Sequence, residues 1–325
     1  MRAAVYHQYG APDVVHLTSV PKPIPNPDEL LIRVVATTVN RTDTGFRSAE
    51  YVVSRLFSGV VRPKFPILGC EFSGVVEAVG SRVTRFSVGD RVFGWDDARF
   101  GSHAEYRISR EDSCIDIIPD GFTFSQAAAL TEGAQYALHD IRAANVVRGT
   151  SVLVYGATGA IGSAAVQLCK NIGAFVTAVC GTQHTELVRL LGADEVVDYQ
   201  TQDFTATERR YEFVFDAVGK RSFTECKHLL KANGIYISTE LGKRGDNVWR
   251  ALAAPLLRRF DDGKRVLFPL PLTKPEMTHE VRTVAASGDF NPLIDREYSL
   301  NDIVEAHRYA ESGMKVGNVI VRVSE

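Results

Sequence analysis

The chain has 325 residues, 45% hydrophobic and 23% charged, with a formal net charge of −2. That is the composition of a water-soluble globular protein with one large domain or two ordinary ones. With no block of five or six like charges, neither nucleic acid nor an anionic membrane is expected as the main partner. Five scattered cysteines without a CxxC pair, a start (MRAAVYHQYG) unlike a signal peptide, and no apolar run long enough for a bilayer imply a reducing setting, the cytoplasm by default with an organelle matrix as the alternative.

Residues 1 to about 120 read as β-rich and irregular, with short β-branched runs such as ELLIRVVATTVN, EFSGVVEAVG and DRVFGW cut by Gly, Pro and Asp. The four prolines of PKPIPNPDE at 21–29 demand an extended surface connection. After Gly121 the pattern changes. FSQAAALTEGAQYALHDI is helical in composition and period, and strands then alternate with helices. SVLVYG (151–156), FVTAVCG (175–181), EVVDY (195–199), YEFVFDAVG (211–219) and GIYISTEL (234–241) read as strands. Helical segments lie between them, including AIGSAAVQLCKNIG with Ile161, Ala165, Leu168 and Ile172 on one face. This alternation predicts a parallel sheet covered by helices. The last segment, from PLIDREY to GNVIVRV, reads as strand, helix, strand, able either to return to the first domain or to extend the sheet.

Gly156 and the stretch Ala157-Thr158-Gly159-Ala160-Ile161-Gly162 lie between a buried strand and an amphipathic helix. This is a dinucleotide-binding fingerprint with its first glycine replaced by Ala and an extra glycine before it. Such a turn brings backbone close to a pyrophosphate and offers it helix N-terminal N–H groups. At the end of the second strand an NAD site places an acid for the ribose 2′-hydroxyl. Here Cys180-Gly181-Thr182-Gln183-His184 offers none before Glu186, which favours NADP(H). With no Lys or Arg in that turn, Thr182, His184 and Tyr199 are the candidate contacts to the 2′-phosphate.

The order LGCEFSGVVEAVG, VGDRVFG, GATGAIG, LGADEVVDY resembles the medium-chain dehydrogenase/reductase superfamily over nearly the whole chain. The set Asn40, Asp43, Arg47 and Tyr51 resembles its zinc-free quinone oxidoreductase branch. The resemblance implies an α/β protein with a β-rich GroES-like catalytic domain (1–122 and 290–325) and a Rossmann, doubly wound NADP(H)-binding domain (123–289). Zinc-dependent relatives carry Gly-His-Glu where this chain has Gly69-Cys70-Glu71, a cysteine at the position of Asn40, and a third ligand near 130–135, where LTEGAQ has neither Cys nor His. Cys70, Glu71 and a more distant Glu132 are the remaining donors for a catalytic zinc that needs about three. No metal is expected, and Cys70 reads as a small apolar filler.

The resemblance then implies hydride transfer from NADPH to quinones or α,β-unsaturated carbonyls. Asn40 and Tyr51 are candidates to donate hydrogen bonds to the acceptor; Asp43 and Arg47, four apart, suit a helical ion pair that shapes the pocket. Gly219, Leu241 and Asn318 are implied as cofactor contacts alongside Gly156, Thr158, Gly159, Ala160, Ile161 and Gly181. A cleft between the two domains is expected to hold cofactor and acceptor. A homodimer is expected through an edge strand at RVLFPLPL (265–272), and the insert at 52–66 reads as a lid or a surface helix. Two other readings stand beside this one: a nucleotide-binding sensor or scaffold with little catalysis, and a metal-dependent alcohol dehydrogenase.

Overall fold

The computed structural model describes residues 1–49, 55–239, 247, 250, 251, 261–269 and 274–324. The chain divides into two compact units, Met1–Glu132 with Thr273–Glu325, and Gly133–Leu272.

The first unit begins with an antiparallel pair, β1 (Arg2–Val5) and β2 (His16–Ser19). Its main sheet is built around β3 (Glu29–Thr38), a ten-residue strand whose Leu30, Ile32 and Val34 are fully buried. On one side β3 pairs with β4 (Glu71–Val79), and the sheet continues through β5 (Arg91–Trp95) to β7 (Ile115–Ile117). On the other side its first half pairs with β6 (Tyr106–Arg110) and its last three residues with β15 (Asn318–Arg322). The final segment therefore returns to the first unit, as β14 (Ile294–Ser299), a helix Ile303–Glu311, and β15. Helix α1 (Arg41–Ser48) follows β3 directly, and a single turn, α2 (Arg55–Ser58), lies in the insert, where Tyr9 hydrogen-bonds Ser58 and Gly59. Residues 52–54 of that insert lie outside the described set.

In the second unit, six parallel strands run in the order β10-β9-β8-β11-β12-β13. They are β8 (Ser151–Tyr155), β9 (Phe175–Cys180), β10 (Glu195–Asp198), β11 (Tyr211–Asp216), β12 (Leu230–Ser238) and β13 (Arg265–Leu267). Numbered from the first of them, the order is 3-2-1-4-5-6, that of the doubly wound dinucleotide-binding sheet, reversing between β8 and β11. Central strands of such a sheet are buried on both faces; in β11, Phe213, Val214 and Phe215 are each 1% exposed or less.

After α3 (Phe124–Ala128), helix α4 (Glu132–Ala143) carries the chain from one unit into the other. Helix α5 (Ala160–Ile172) joins β8 to β9 and ends at Gly173, whose φ of +87° lets its N–H cap Cys169 and Lys170. Ala165 and Leu168 are buried on it as the period predicts, whereas Ile161 and Ile172, at its two ends, are only half-buried.

Candidate active site and nucleotide turn

In the first unit, Glu71 opens β4 as a fully buried carboxylate. Five donors converge on it. The hydroxyl of Thr38 (2.7 Å) and the amide of Asn40 reach Oε2; the N–H (3.1 Å) and hydroxyl (2.8 Å) of Thr131 and the N–H of Glu132 (2.6 Å) reach Oε1. Thr131 precedes α4 and Glu132 opens it, so Glu71 accepts N–H groups that the helix itself leaves unbonded. Burial first, and then the charge of Glu132, push the Glu71 carboxyl up; these donors pull it back.

Asn40 is 2% exposed, and its amide donates to both Thr38 Oγ1 (3.1 Å) and Glu71. Both of its hydrogens are engaged inside the unit, so the expected donation to an acceptor carbonyl has no free hydrogen. Asp43, on α1, accepts from the N–H of Asn40 (3.0 Å) and of Gly69 (2.9 Å), and burial raises its carboxyl to about 6. The expected Asp43–Arg47 ion pair does not form. Arg47 is buried, turned to Glu311 and the Gly10 carbonyl, because Asp43 is consumed by backbone N–H groups on the other side of the helix start.

Cys70 is fully buried, but its surroundings are acidic rather than apolar. Its Sγ lies 3.4 Å from Glu132 Oε2 and 4.0 Å from Asp43 Oδ2. Burial and these carboxylates push the thiol well above its usual range, which disfavours a thiolate nucleophile. Glu132 also takes the Thr42 hydroxyl; burial and the Asp43 charge raise its carboxyl. Sequence reasoning missed the half-buried Lys315, whose charge is felt at Glu132 and whose ammonium donates to Gly317 O (2.8 Å).

His103 bonds the Thr38 carbonyl at 2.8 Å, and burial lowers its pKa to about 4. Its ring packs edge-on against His307, 5.6 Å between centroids. His307 is fully buried, and neither of its ring nitrogens has a partner among the described residues.

In the second unit the glycine turn shows why its residues are small. Gly156 has φ +85°, and a Cβ there would stand 2.0 Å from Val218 Cγ2. A Cβ on Gly162 would meet the Gly156 carbonyl at 2.1 Å, so the helix can pack on the turn only without a side chain. Gly159 caps α5 and differs: a Cβ there would meet nothing closer than 3.7 Å. A side chain at this position would thus make only an ordinary contact with the Gly156 carbonyl. Thr158, Ala160 and Ile161 are half-buried beside it. The first N–H groups of the thirteen-residue α5 have no intrahelical acceptor, which is the donor set a pyrophosphate takes.

At the end of β9, Gly181 is buried, Thr182 exposed and His184 half-buried; Tyr199 is 52% exposed. The Gly219 N–H is already taken by Asp216 Oδ1 (2.8 Å), which also accepts the Val218 N–H, while Asp216 Oδ2 accepts that of Arg221. Asn318 is buried in the first unit, where its amide donates to Leu293 O at 3.0 Å. Tyr51 and Leu241 lie outside the described residues.

Residues 26–132 match the alcohol dehydrogenase GroES-like domain, and residues 191–321 match the family described as zinc-binding dehydrogenase. The NADPH-dependent alkenal/one oxidoreductase of Arabidopsis thaliana, a chloroplastic protein, is 33% identical over 99% of this chain and 79% of its own length. The quinone oxidoreductase of Pongo abelii is 30% identical over 94% and 93%. The solved quinone oxidoreductase of Coxiella burnetii superposes with a TM-score of 0.86 at 26% identity, covering 100% of this chain and 99% of that one. The chain belongs to the medium-chain dehydrogenase/reductase superfamily. Within it, the chain falls in the quinone oxidoreductase branch.

One of those family descriptions implies zinc, and the donor set does not fit it. Glu71 has its oxygens engaged by five donors, and Asn40 offers an amide where zinc takes a thiolate, imidazole or carboxylate. Among the described residues no three His, Cys, Asp or Glu side chains are arranged to hold a metal ion.

Proposed function

We propose that the protein is an NADPH-dependent, zinc-independent reductase that transfers hydride to quinones or α,β-unsaturated carbonyls. The observation that carries this reading is the glycine turn. It combines a tight packing that excludes side chains at Gly156 and Gly162 with an uncrowded Gly159 at the start of α5, whose first N–H groups have no intrahelical acceptor. The 33% identity to an NADPH-dependent alkenal/one oxidoreductase supports the same cofactor and acceptor class. In this proposal the unit Gly133–Leu272 binds the nucleotide and the other unit serves the acceptor.

Bound NADPH supplies the hydride. Gly156, Thr158, Gly159, Ala160 and Ile161 bind its phosphates, and Gly181, Thr182, His184 and Tyr199 flank its adenosine end. Glu71 and Asn40 act as a structural tie that fixes the entry to α4. The Thr42 hydroxyl, joined to the Glu132 carboxyl, and Tyr51 are the proposed proton sources for the product oxygen. A zinc ion is not needed for an acceptor that is already electrophilic. We also place a homodimer contact at β13, an edge strand of its sheet. The five buried free cysteines support a reducing, cytoplasmic compartment.

The test mixes purified protein and NADPH with 1,4-benzoquinone, 9,10-phenanthrenequinone and small enones, following absorbance at the nicotinamide band, with elemental analysis of the same sample. Oxidation of NADPH by at least one acceptor without bound zinc is expected. No turnover with any acceptor sinks the activity, and stoichiometric zinc sinks the metal-free mechanism.

A further inference from the structure

The Thr42–Glu132 pair stands in acidic surroundings. The Thr42 hydroxyl is bonded to the Glu132 carboxyl, and Cys70 Sγ lies against both Glu132 and Asp43. Glu71, next in the chain, is buried and takes the Glu132 N–H. An acceptor that receives hydride gathers negative charge on its oxygen. A hydroxyl backed by carboxyls opposes such an oxygen unless a cation stands beside it.

The chain places one there. Strand β15 runs antiparallel to β3 with Ile320 opposite Thr38, and the Val39 N–H donates to Val319 O at 2.9 Å. That register carries the residues just before β15 alongside the start of α1, on which Thr42 lies. Backbone contacts fix their path. The Val316 N–H donates to Asp295 Oδ2 at 2.7 Å, and the Asn318 N–H to Leu293 O at 2.8 Å. Between them Gly317, with φ +78°, packs so closely that a Cβ would stand 2.1 Å from Leu293 O. Lys315 is half-buried at this point, and its ammonium donates to Gly317 O at 2.8 Å, its one hydrogen bond among the described residues. Two of its three hydrogens remain for a ligand.

Its charge is felt at Glu132, Glu71 and Asp295, and it forms no ion pair among the described residues. Asp295 is itself taken by the Val316 N–H and, at 2.7 Å, the Tyr309 hydroxyl. Two other buried cations of this unit point elsewhere: Arg47 to Glu311 and Gly10 O, and Arg107 to Asp96 and Ser102.

We propose that Lys315 is a catalytic residue whose ammonium stabilises the negative charge growing on the acceptor oxygen as hydride reaches carbon. The proposal rests on the reading of the protein as an NADPH-dependent reductase. Hydride addition forms the new C–H bond, leaves NADP+ and pushes an electron pair of the acceptor onto its oxygen. Lys315 holds that oxygen without giving up a proton; the Thr42 hydroxyl donates one and regains it from water.

The experiment measures kcat and KM for 1,4-benzoquinone and for a small enone, with NADPH affinity by fluorescence titration, in wild type, Lys315→Met and Lys315→Arg. Met keeps the length of the side chain and removes the charge; Lys315→Gln repeats the measurement with a polar, uncharged side chain. Lys315→Met is expected to lower kcat for the enone about 100-fold and to leave NADPH affinity within about threefold. Its effect on benzoquinone is expected to be smaller, because a hydroquinone anion is a weaker base than an enolate and needs less help. Lys315→Arg, which keeps the charge, is expected to stay within about tenfold of wild type. Three outcomes overturn the role of Lys315 and leave the reductase reading standing: kcat of both uncharged variants within about threefold of wild type, an equal loss for both acceptors that Arg does not restore, or a loss confined to NADPH affinity. No turnover of any acceptor by wild type overturns both.

Discussion

Glu71 opens β4 and Asp198 closes β10, and the two acids behave in opposite ways. Glu71 is buried among five donors drawn from three segments of the chain, so its carboxylate is spent on holding β3, α1 and the start of α4 in place. Asp198 sits at a strand end within reach of solvent, bonded to Thr182 and Gln200. The same contrast runs through the turns. Glu71 takes the N–H groups of Thr131 and Glu132 at the start of α4, whereas the first N–H groups of α5 have no intrahelical acceptor. A carboxylate is informative about chemistry only once its partners are counted. By that measure the carboxylate at the zinc-site position of this chain is engaged within its own unit, and the second unit's glycine turn is where nucleotide recognition is proposed.

Four measurements break or sharpen that contrast. The largest effect belongs to Glu71→Ala, which strands several buried donors at once and is expected to cost about 4 kcal/mol in urea denaturation. A loss under 1 kcal/mol would mean the acid is not the tie described. Next, Gly162→Ala drives a Cβ against the Gly156 carbonyl and is expected to cost about 2–3 kcal/mol with loss of nucleotide binding. Gly159→Ala separates packing from recognition. Its Cβ has room, so stability is expected to change by less than about 1 kcal/mol, while NADPH affinity by fluorescence titration falls at least tenfold. Equal binding in that variant would remove Gly159 from the phosphate site.

The fourth and smallest effect concerns pH. Burial, with the nearby rings and charges of His103 and Arg47, depresses the His307 pKa, and burial holds His103 near 4. Between about pH 6.5 and 4 the unfolded chain takes up these protons more readily than the folded one, so stability falls as the pH drops through that window. Asp43, raised to about 6, acts with the opposite sign: its contribution is present below about pH 4 and is lost as pH rises toward 6. His307→Leu is expected to leave stability within about 1 kcal/mol at pH 7.5. It should also reduce the acid-side slope by up to about 1.4 kcal/mol per pH unit, read from denaturation midpoints at pH 4.5–6. An unchanged slope would show that His307 finds a partner in solution.

The sheet of the second unit was legible because buried parallel strands read as unbroken apolar runs, as in Phe213–Phe215, and because the glycine turn must separate β8 from α5. In the first unit the strands were legible but the partners of Glu71 were not. They come from 31 to 61 residues away, and no local period records them. Cys70 was misread for the same reason, since Asp43 and Glu132 reach it from distant segments. The Asp198–Thr182 bond was not legible because EVVDY fits a strand, and strand periodicity says nothing about which neighbour lies across the sheet. The Asp43–Arg47 spacing was a sound helical pattern overridden by Gly69 and Asn40, whose N–H groups claim the acid first.

The pairing of β15 with β3 also orders events on the ribosome. Residues 36–38 wait for 320–322 before their side of the sheet closes, whereas every strand of the second sheet lies between 151 and 267. The inner unit is free to fold before residues 320–322 are translated, and the sheet of the outer one must wait for them. In stalled nascent chains, protease resistance is therefore expected to arrive first for the part synthesised second.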